Sequence, residues 1–115
     1  MQTLVYKDQQ IKVDDEGYLL DWNNWNEDVA CALTQTVEDV EECDLTEERM
    51  EILRFLRDYY KHYESFPIVR SVCKNVHQQK DCLYERFIDP IKAWKIAGLP
   101  KPATEVFAYI KHETS

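Results

Sequence analysis

The sequence has few glycines, no long apolar run and a shortage of basic residues. Only two of its 115 residues are glycine, which excludes collagen-like repeats and glycine-rich linkers. No apolar stretch approaches the roughly 18 residues of a membrane-spanning helix, and no basic segment followed by an apolar run marks a signal peptide. We therefore expect no membrane association and a cytoplasmic location.

Acidic residues outnumber basic ones by 22 to 14, so the formal net charge is -8. Because nucleic-acid affinity comes mostly from cations that replace counterions on phosphates, this balance disfavours direct binding of nucleic acid. Apolar residues make up 44% and aromatic residues 12% of the chain, which is typical of a globular protein. The length predicts a single domain over residues 1–115 with a real hydrophobic core.

The order of the predicted elements is a small sheet followed by helices. Two β-prone runs flank a polar turn and a third follows Gly17, which predicts an N-terminal β-meander. Helical spacing of apolar residues then predicts about five helices, of which the strongest runs from Thr46 to about Glu64. The helix at Pro67–His77 is expected to bury Ile68. The predicted strands are Leu4–Tyr6, Ile11–Val13 and Tyr18–Leu20, and the predicted helices begin at Asn26, Thr46, Pro67, Asp81 and Pro90. We therefore predict an α+β fold in which the meander packs on the helices.

Several short strings in the chain carry a family resemblance. They are DDEGYL with the tryptophans that follow it, LRFLRDYY, FPIVR, CLYERF and, most specific of all, KIAGLPKP at 95–102. In this order they resemble the DsrC/TusE family of sulfur-relay proteins, which includes the γ-subunit of dissimilatory sulfite reductase. The resemblance covers almost the whole chain. It implies a meander sheet packed on helices and a mobile C-terminal arm, which is residues 103–115 here.

The two arm cysteines of the family are absent. In relatives, a cysteine at the penultimate position carries persulfide, and sulfite-reductase partners have a second cysteine in the helix before KIAGLPKP. By position these fall on Glu105 and Trp94, neither of which can hold sulfane sulfur, and ten further residues follow Glu105. The resemblance therefore implies a non-catalytic binding or regulatory partner of sulfur-relay or sulfite-reductase machinery.

Four other cysteines remain, and in the cytoplasm they are expected to be thiols. Cys31 lies beside an apolar stripe and Cys43 among carboxylates, so neither is a good nucleophile. Cys73 and Cys82 flank a polar connection and remain candidates for a relocated carrier thiol or a redox pair. The alternative hypothesis is thus a sulfur-relay sulfurtransferase that carries persulfide on Cys82 or Cys73, for tRNA thiolation or sulfite reduction.

Four residues are candidates for partner binding. Arg70 matches an arginine that relatives also have, and it is either close to the arm or a surface ion-pairing residue. Lys95 and Lys101 would attract an acidic docking groove or be merely solvated. Trp94 is either packed in the core or an anchor for a partner.

No motif for ordinary enzyme chemistry is present. The chain has no glycine-rich phosphate loop, no Ser/His/Asp arrangement and no CxxC or HExxH spacing, so neither a cofactor nor a metal is expected. A third hypothesis is a nucleic-acid-binding regulator, because the helices around Pro67 could be arranged as a helix-turn-helix. The acidic balance counts against it.

Overall fold

The computed structural model describes residues 2–87 and 89–108, so residues 109–115 of the predicted arm lie outside the described part. The elements are β1 (Gln2–Tyr6), β2 (Gln9–Val13), a 3-10 turn (Trp22–Asn24), α1 (Glu27–Val37), α2 (Glu47–Tyr63), α3 (Val69–Asn75), α4 (Cys82–Phe87) and α5 (Pro90–Ile96). Residues 104–108 are also helical and are called the arm helix below. The α+β class, with a small N-terminal sheet on an array of helices, is confirmed. Within these residues no helix is long and apolar enough to cross a bilayer.

The sheet is an antiparallel hairpin of β1 and β2. Lys7 and Asp8 form its turn with φ of 48° and 66°, as a two-residue type I′ turn requires. The predicted third strand at Tyr18–Leu20 is wrong, because only a single bridge joins Val13 to Leu19. The chain leaves the sheet at once to enter the 3-10 turn, so the meander is incomplete.

The predicted helix starts at Asn26, Thr46, Asp81 and Pro90 are confirmed. The side chain of Asn26 accepts a hydrogen bond from the Val29 amide at 2.9 Å at the start of α1. Thr46 caps α2 in the same way, and Pro90 occupies the first turn of α5. Each such cap is worth about 1 kcal/mol. Because a cap is a local interaction, its sequence signal is reliable.

The core has two parts, a small cluster between the hairpin and α1 and a larger one among α2, α3, α4 and α5. In the larger cluster Leu53, Leu56 and Val72 are 0% exposed. The burial predicted for Ile68 is wrong, since its side chain is 58% exposed. The reason is that α3 begins only at Val69, which leaves Ile68 in extended backbone just before the helix.

The expectation of thiols is wrong for Cys31 and Cys43, whereas Cys73 and Cys82 are paired as in the candidate redox pair. Two disulfides join the cysteines, Cys31 to Cys43 and Cys73 to Cys82, and all four lie within the described residues. The first ties α1 to the loop before α2, and the second ties α3 to α4. Cys73 and Cys82 are 0% and 1% exposed, whereas Cys31 and Cys43 are half-buried. The argument from compartment gave no reason to expect the Cys31–Cys43 disulfide, which joins α1 to a loop 12 residues further along the chain.

Candidate functional site

The arm is preceded by a tight segment at the end of α5, residues 96–100, which we call the arm root. Gly98 has φ of 74°, a conformation that costs other residues free energy. A Cβ atom at Gly98 would lie 2.5 Å from Cδ1 of Trp25 and 3.0 Å from Cδ2 of Leu19. Glycine therefore fits this position for two reasons: its backbone has positive φ, and the side chains of Trp25 and Leu19 leave no room for a Cβ atom.

Three side chains from three different elements donate hydrogen bonds to backbone carbonyls of the arm root. They are Trp25 Nε1 to Ile96 O at 3.0 Å, Arg57 Nη1 to Ala97 O at 2.9 Å, and Trp94 Nε1 to Pro100 O at 2.6 Å. The last carbonyls of a helix have no partner inside the helix, so they need donors of this kind when they are buried. The arm root is thereby fixed to the body of the protein.

Arg57 is the only charged member of this set of donors. Its guanidinium lies over the rings of Trp22 and Trp25, at 5.4 and 4.7 Å from their centroids, and also donates to Trp22 O at 2.7 Å. Burial lowers the pKa of the Arg57 guanidinium, and nearby Asp58 opposes that change. No salt bridge to Arg57 occurs within the described residues. Carbonyls and indole faces therefore hold this cation in place of a carboxylate.

Trp94 occupies the position that the family resemblance assigns to the helix cysteine. Its side chain is only 2% exposed, and it packs edge-on against Tyr60 at 5.7 Å and against Phe66 at 4.7 Å between centroids. Of the two interpretations considered from the sequence, the packed one describes this structure. A direct contact between Trp94 and a partner would require the ring to leave the core. In this structure Trp94 acts on the arm root through its hydrogen bond to Pro100 O.

The two candidate docking lysines both have contacts within the chain. Lys101 Nζ lies 2.8 Å from Oε2 of Glu16, with the side chains 49% and 57% exposed. Lys95 Nζ lies 4.9 Å from the ring centroid of Tyr18. An exposed ion pair of this kind is worth about 1 kcal/mol or less, so a partner carboxylate could replace Glu16 at little cost. Their role in partner binding stays a prediction.

Glu105, at the position of the family's carrier cysteine, lies exposed on the arm helix. It borders an open apolar cavity of about 350 Å³, which we call the arm groove and which is lined by Phe66, Pro67, Ile68, Glu105 and Val106. Val106 packs against the larger core cluster. The position that the family resemblance assigns to a carrier thiol is therefore occupied here by a carboxylate beside an apolar surface.

The remaining candidates lie elsewhere. Arg70 is exposed on α3 and borders a separate cavity of about 280 Å³ together with Lys80 and Asp81. It does not line the arm groove. Cys73 and Cys82, the candidates for a relocated thiol, are buried in their disulfide. The structure thus does not gather the predicted site residues into one place.

Sequence reasoning missed Arg57 and Trp25, which hold the arm root. A signal for Arg57 was present, because it falls on the apolar stripe of α2 between Leu53 and Tyr60 at helical spacing. A cation at a core position needs buried acceptors, and that requirement alone marks it as unusual. Nothing local in the sequence pairs it with Ala97.

Comparison with known proteins agrees with this architecture. Residues 5–106 match the family described as DsrC like protein. The sulfurtransferase TusE of Photorhabdus laumondii is 38% identical over 111 residues, covering 89% of this chain and 96% of TusE. TusE of Escherichia coli K12 is 33% identical over 108 residues, covering 86% of this chain and 95% of TusE.

A solved structure gives the same result. The oxidized γ-subunit of the dissimilatory sulfite reductase of Archaeoglobus fulgidus, DsrC, is similar with a TM-score of 0.76 and 36% identity, covering 89% of this chain and 97% of that subunit. The chain belongs to the DsrC/TusE family of sulfur-relay proteins.

Proposed function

We propose that this protein is a non-catalytic binding or regulatory partner of sulfur-relay or sulfite-reductase machinery in the cytoplasm. One observation carries the proposal: the arm root is built and fixed, yet the arm presents no thiol. Trp94 and Glu105 stand at the two family cysteine positions, and none of the four cysteines lies in the arm. A persulfide relay requires a nucleophilic thiolate on a reachable segment.

Docking is the capacity that the arm retains. The fixed root presents the arm groove and the carboxylate of Glu105 at the position where relatives present sulfur. Lys95, Lys101 and Arg70 supply positive charge on the same protein for an acidic partner surface. In this proposal the chain occupies a partner's arm-binding site without delivering sulfur and needs no cofactor. The partner is a protein of the kind named for its relatives, a sulfurtransferase system or a sulfite reductase.

Sulfur loading tests the proposal directly. The protein is incubated with sodium polysulfide, freed of excess reagent and measured by intact mass. We expect no stable adduct of roughly 32 Da on the unaltered protein, since no thiolate is available to form one. Glu105→Cys is the matched gain-of-function variant, because it places one thiol at the arm position and changes nothing in the arm root. That variant should take up one sulfur.

The same assay decides between this function and the sulfurtransferase alternative. After reduction of both disulfides, an adduct that maps to Cys82 or Cys73 and passes to a thiol acceptor would establish a relocated carrier and contradict the proposal. A gel shift at low salt tests the nucleic-acid hypothesis, and we expect no binding because of the acidic net charge.

A competition-binding experiment tests whether the protein docks on such a partner. A dissimilatory sulfite reductase and a TusE-dependent relay complex are each titrated with this protein in the presence of a labelled cysteine-bearing relative. We expect competition for the site of the relative's arm, and competition should weaken for a truncation that removes residues 101–115. Failure to compete in both systems would remove the support for a docking function.

A further inference from the structure

Strand β2 has an edge that the hairpin does not use. In a hairpin with a two-residue turn, the pair next to the turn is hydrogen-bonded and the following pair is not. Here Tyr6 pairs with Gln9 beside the turn and Val5 pairs with Gln10 next. The N–H and C=O of Gln10 therefore point away from β1.

Lys12 follows the same alternation, and one hydrogen bond shows its direction. Its carbonyl accepts from the Leu20 amide at 3.0 Å, on the side of β2 opposite to β1. Pairing stops there, because the segment after Gly17 makes only the Val13–Leu19 bridge. Among the described residues, no hydrogen bond reaches the outward groups of Gln10 or the amide of Lys12. The incomplete third strand thus leaves a short length of β2 open.

A cavity of about 520 Å³ runs along this open edge. Asn23 and Asn24 of the 3-10 turn form part of its lining, and Leu19 and Trp25 contribute apolar surface. Leu20, also in the lining, is 51% exposed. The edge therefore faces a space of the size that protein pockets use for ligands, lined by amides and apolar groups.

The charge of this cavity differs from that of the whole protein. Its lining contains one cation, Lys12, and one anion, Asp21, on a chain with a net charge of -8. The Asp21 carboxylate already accepts from the Asn23 amide at 3.0 Å as the cap of the 3-10 turn. Lys12 is exposed to solvent, where an ion pair adds about 1 kcal/mol or less, so the cavity offers little to a charged ligand group and favours an uncharged occupant.

We propose that the open edge of β2 from Gln9 to Lys12 binds an uncharged, extended peptide segment of a partner protein by β-strand addition. Outward backbone groups in strand geometry are complementary to another extended backbone, and alternate side chains of that peptide would reach Leu19 and Trp25. The strand offers only three backbone groups, so the contact is weak and transient by itself. This surface shares Trp25 with the arm root, but the proposal does not rest on the function proposed for the arm.

The test uses an acetylated and amidated hexapeptide of alternating threonine and valine, titrated into the 15N-labelled protein. We expect saturable chemical-shift changes at the amides of Gln10 and Lys12 and at the indole N–H of Trp25. A second hexapeptide carries N-methyl groups on two adjacent central amides, which blocks both of its edges. It should bind at least about tenfold more weakly, a difference of about 1.4 kcal/mol.

Matched proline variants locate the binding edge. Gln10→Pro removes an outward N–H of β2 without removing a hydrogen bond to β1, and it should weaken binding about tenfold. Thr3 pairs with Lys12 and its N–H faces away from β2, so Thr3→Pro makes the same change on the outer edge of β1. That control should bind as the unaltered protein does.

Three results would overturn the proposal. The first is the absence of saturable chemical-shift changes at millimolar peptide, and the second is equal binding of the methylated and unmethylated peptides. The third is binding that does not locate to β2, seen as shifts centred on β1 or as equal loss of binding in both proline variants. If Gln10→Pro does not fold, as judged by its tryptophan fluorescence, the comparison of the two peptides on the unaltered protein decides the question.

Discussion

Replacing Gly98 by alanine tests whether the arm root is held as tightly as its contacts indicate. The new Cβ would meet Cδ1 of Trp25 at 2.5 Å. Trp25 cannot easily retreat, because its indole donates to Ile96 O and its ring lies against the Arg57 guanidinium. Gly17→Ala is the matched control. Gly17 also has positive φ, 91°, but its Cβ would meet only the flexible end of Lys95, at 3.1 Å from Cε.

The two variants differ in one contribution to the free energy of unfolding. A non-glycine residue in the left-handed region costs about 1–2 kcal/mol, and both variants incur this cost. Overpacking against a fixed ring adds about 1–3 kcal/mol at Gly98 alone. We therefore expect a loss of about 2–5 kcal/mol for Gly98→Ala and about 1–2 kcal/mol for Gly17→Ala. Against a total stability of about 5–15 kcal/mol, the difference is large enough to measure.

Urea unfolding followed by tryptophan fluorescence measures this difference, with the disulfides intact. For a slope of about 2 kcal/mol/M, an excess loss of 2 kcal/mol lowers the midpoint by about 1 M. Equal midpoints for the two alanine variants would refute the reasoning, because they would mean that the Trp25 ring moves aside freely and the arm root is not tightly packed.

Three further predictions follow from the same contacts. Arg57→Met should lower the free energy of unfolding in urea by about 2–4 kcal/mol, because it leaves the part-buried carbonyls of Trp22 and Ala97 without their donor. Arg54→Met, which removes only exposed ion pairs with Glu27 and Glu47, should cost less than about 1 kcal/mol, and similar losses for the two variants would mean that the Arg57 hydrogen bonds are unimportant. Burial, followed by the charges of Glu16, Asp14 and Asp89, raises the pKa of Tyr18 from 10.0 to about 12. The folded state therefore keeps a proton that the unfolded state has lost, so stability present below pH 10 should fall as the pH rises towards 12, and a phenolate titration should show a high-pKa tyrosine that Tyr18→Phe removes. Finally, the protein is partly reduced with dithiothreitol, alkylated and analysed by mass spectrometry. Alkylation should appear on half-buried Cys31 and Cys43 before buried Cys73 and Cys82, because the reductant reaches the more exposed disulfide first; the reverse order would contradict the burial described above.

Local signals in the sequence predicted much of the fold. Asn26, Thr46 and Pro90 mark helix starts through interactions within a few residues, and those starts are confirmed. The failures at Tyr18–Leu20 and Ile68 have a different origin. Both segments are β-prone or apolar, but their pairing and burial depend on where the next element of the chain begins. The local sequence pattern does not specify that position.

The candidate site divides in the same way. The KIAGLPKP string identified the arm, and counting positions from it placed Trp94 and Glu105 at the cysteine positions of relatives. Two of the hydrogen bonds that hold the arm root come from Arg57 and Trp25, which are 40 and 71 residues along the chain from the carbonyls that accept them. The Cys31–Cys43 disulfide likewise depends on the loop before α2 lying next to α1. Contacts of this kind follow from packing the whole domain, so a reading of short segments misses them.

The hydrogen bond from Trp94 to Pro100 sets a pivot for the arm. Because hydrogen bonds hold the chain up to Pro100, only the residues after Pro100 can move away from the body of the protein without breaking the hydrogen bonds of the arm root. The five residues from there to Glu105 reach at most about 17 Å when fully extended. A partner group that contacts Glu105 must therefore lie within about that distance of Pro100.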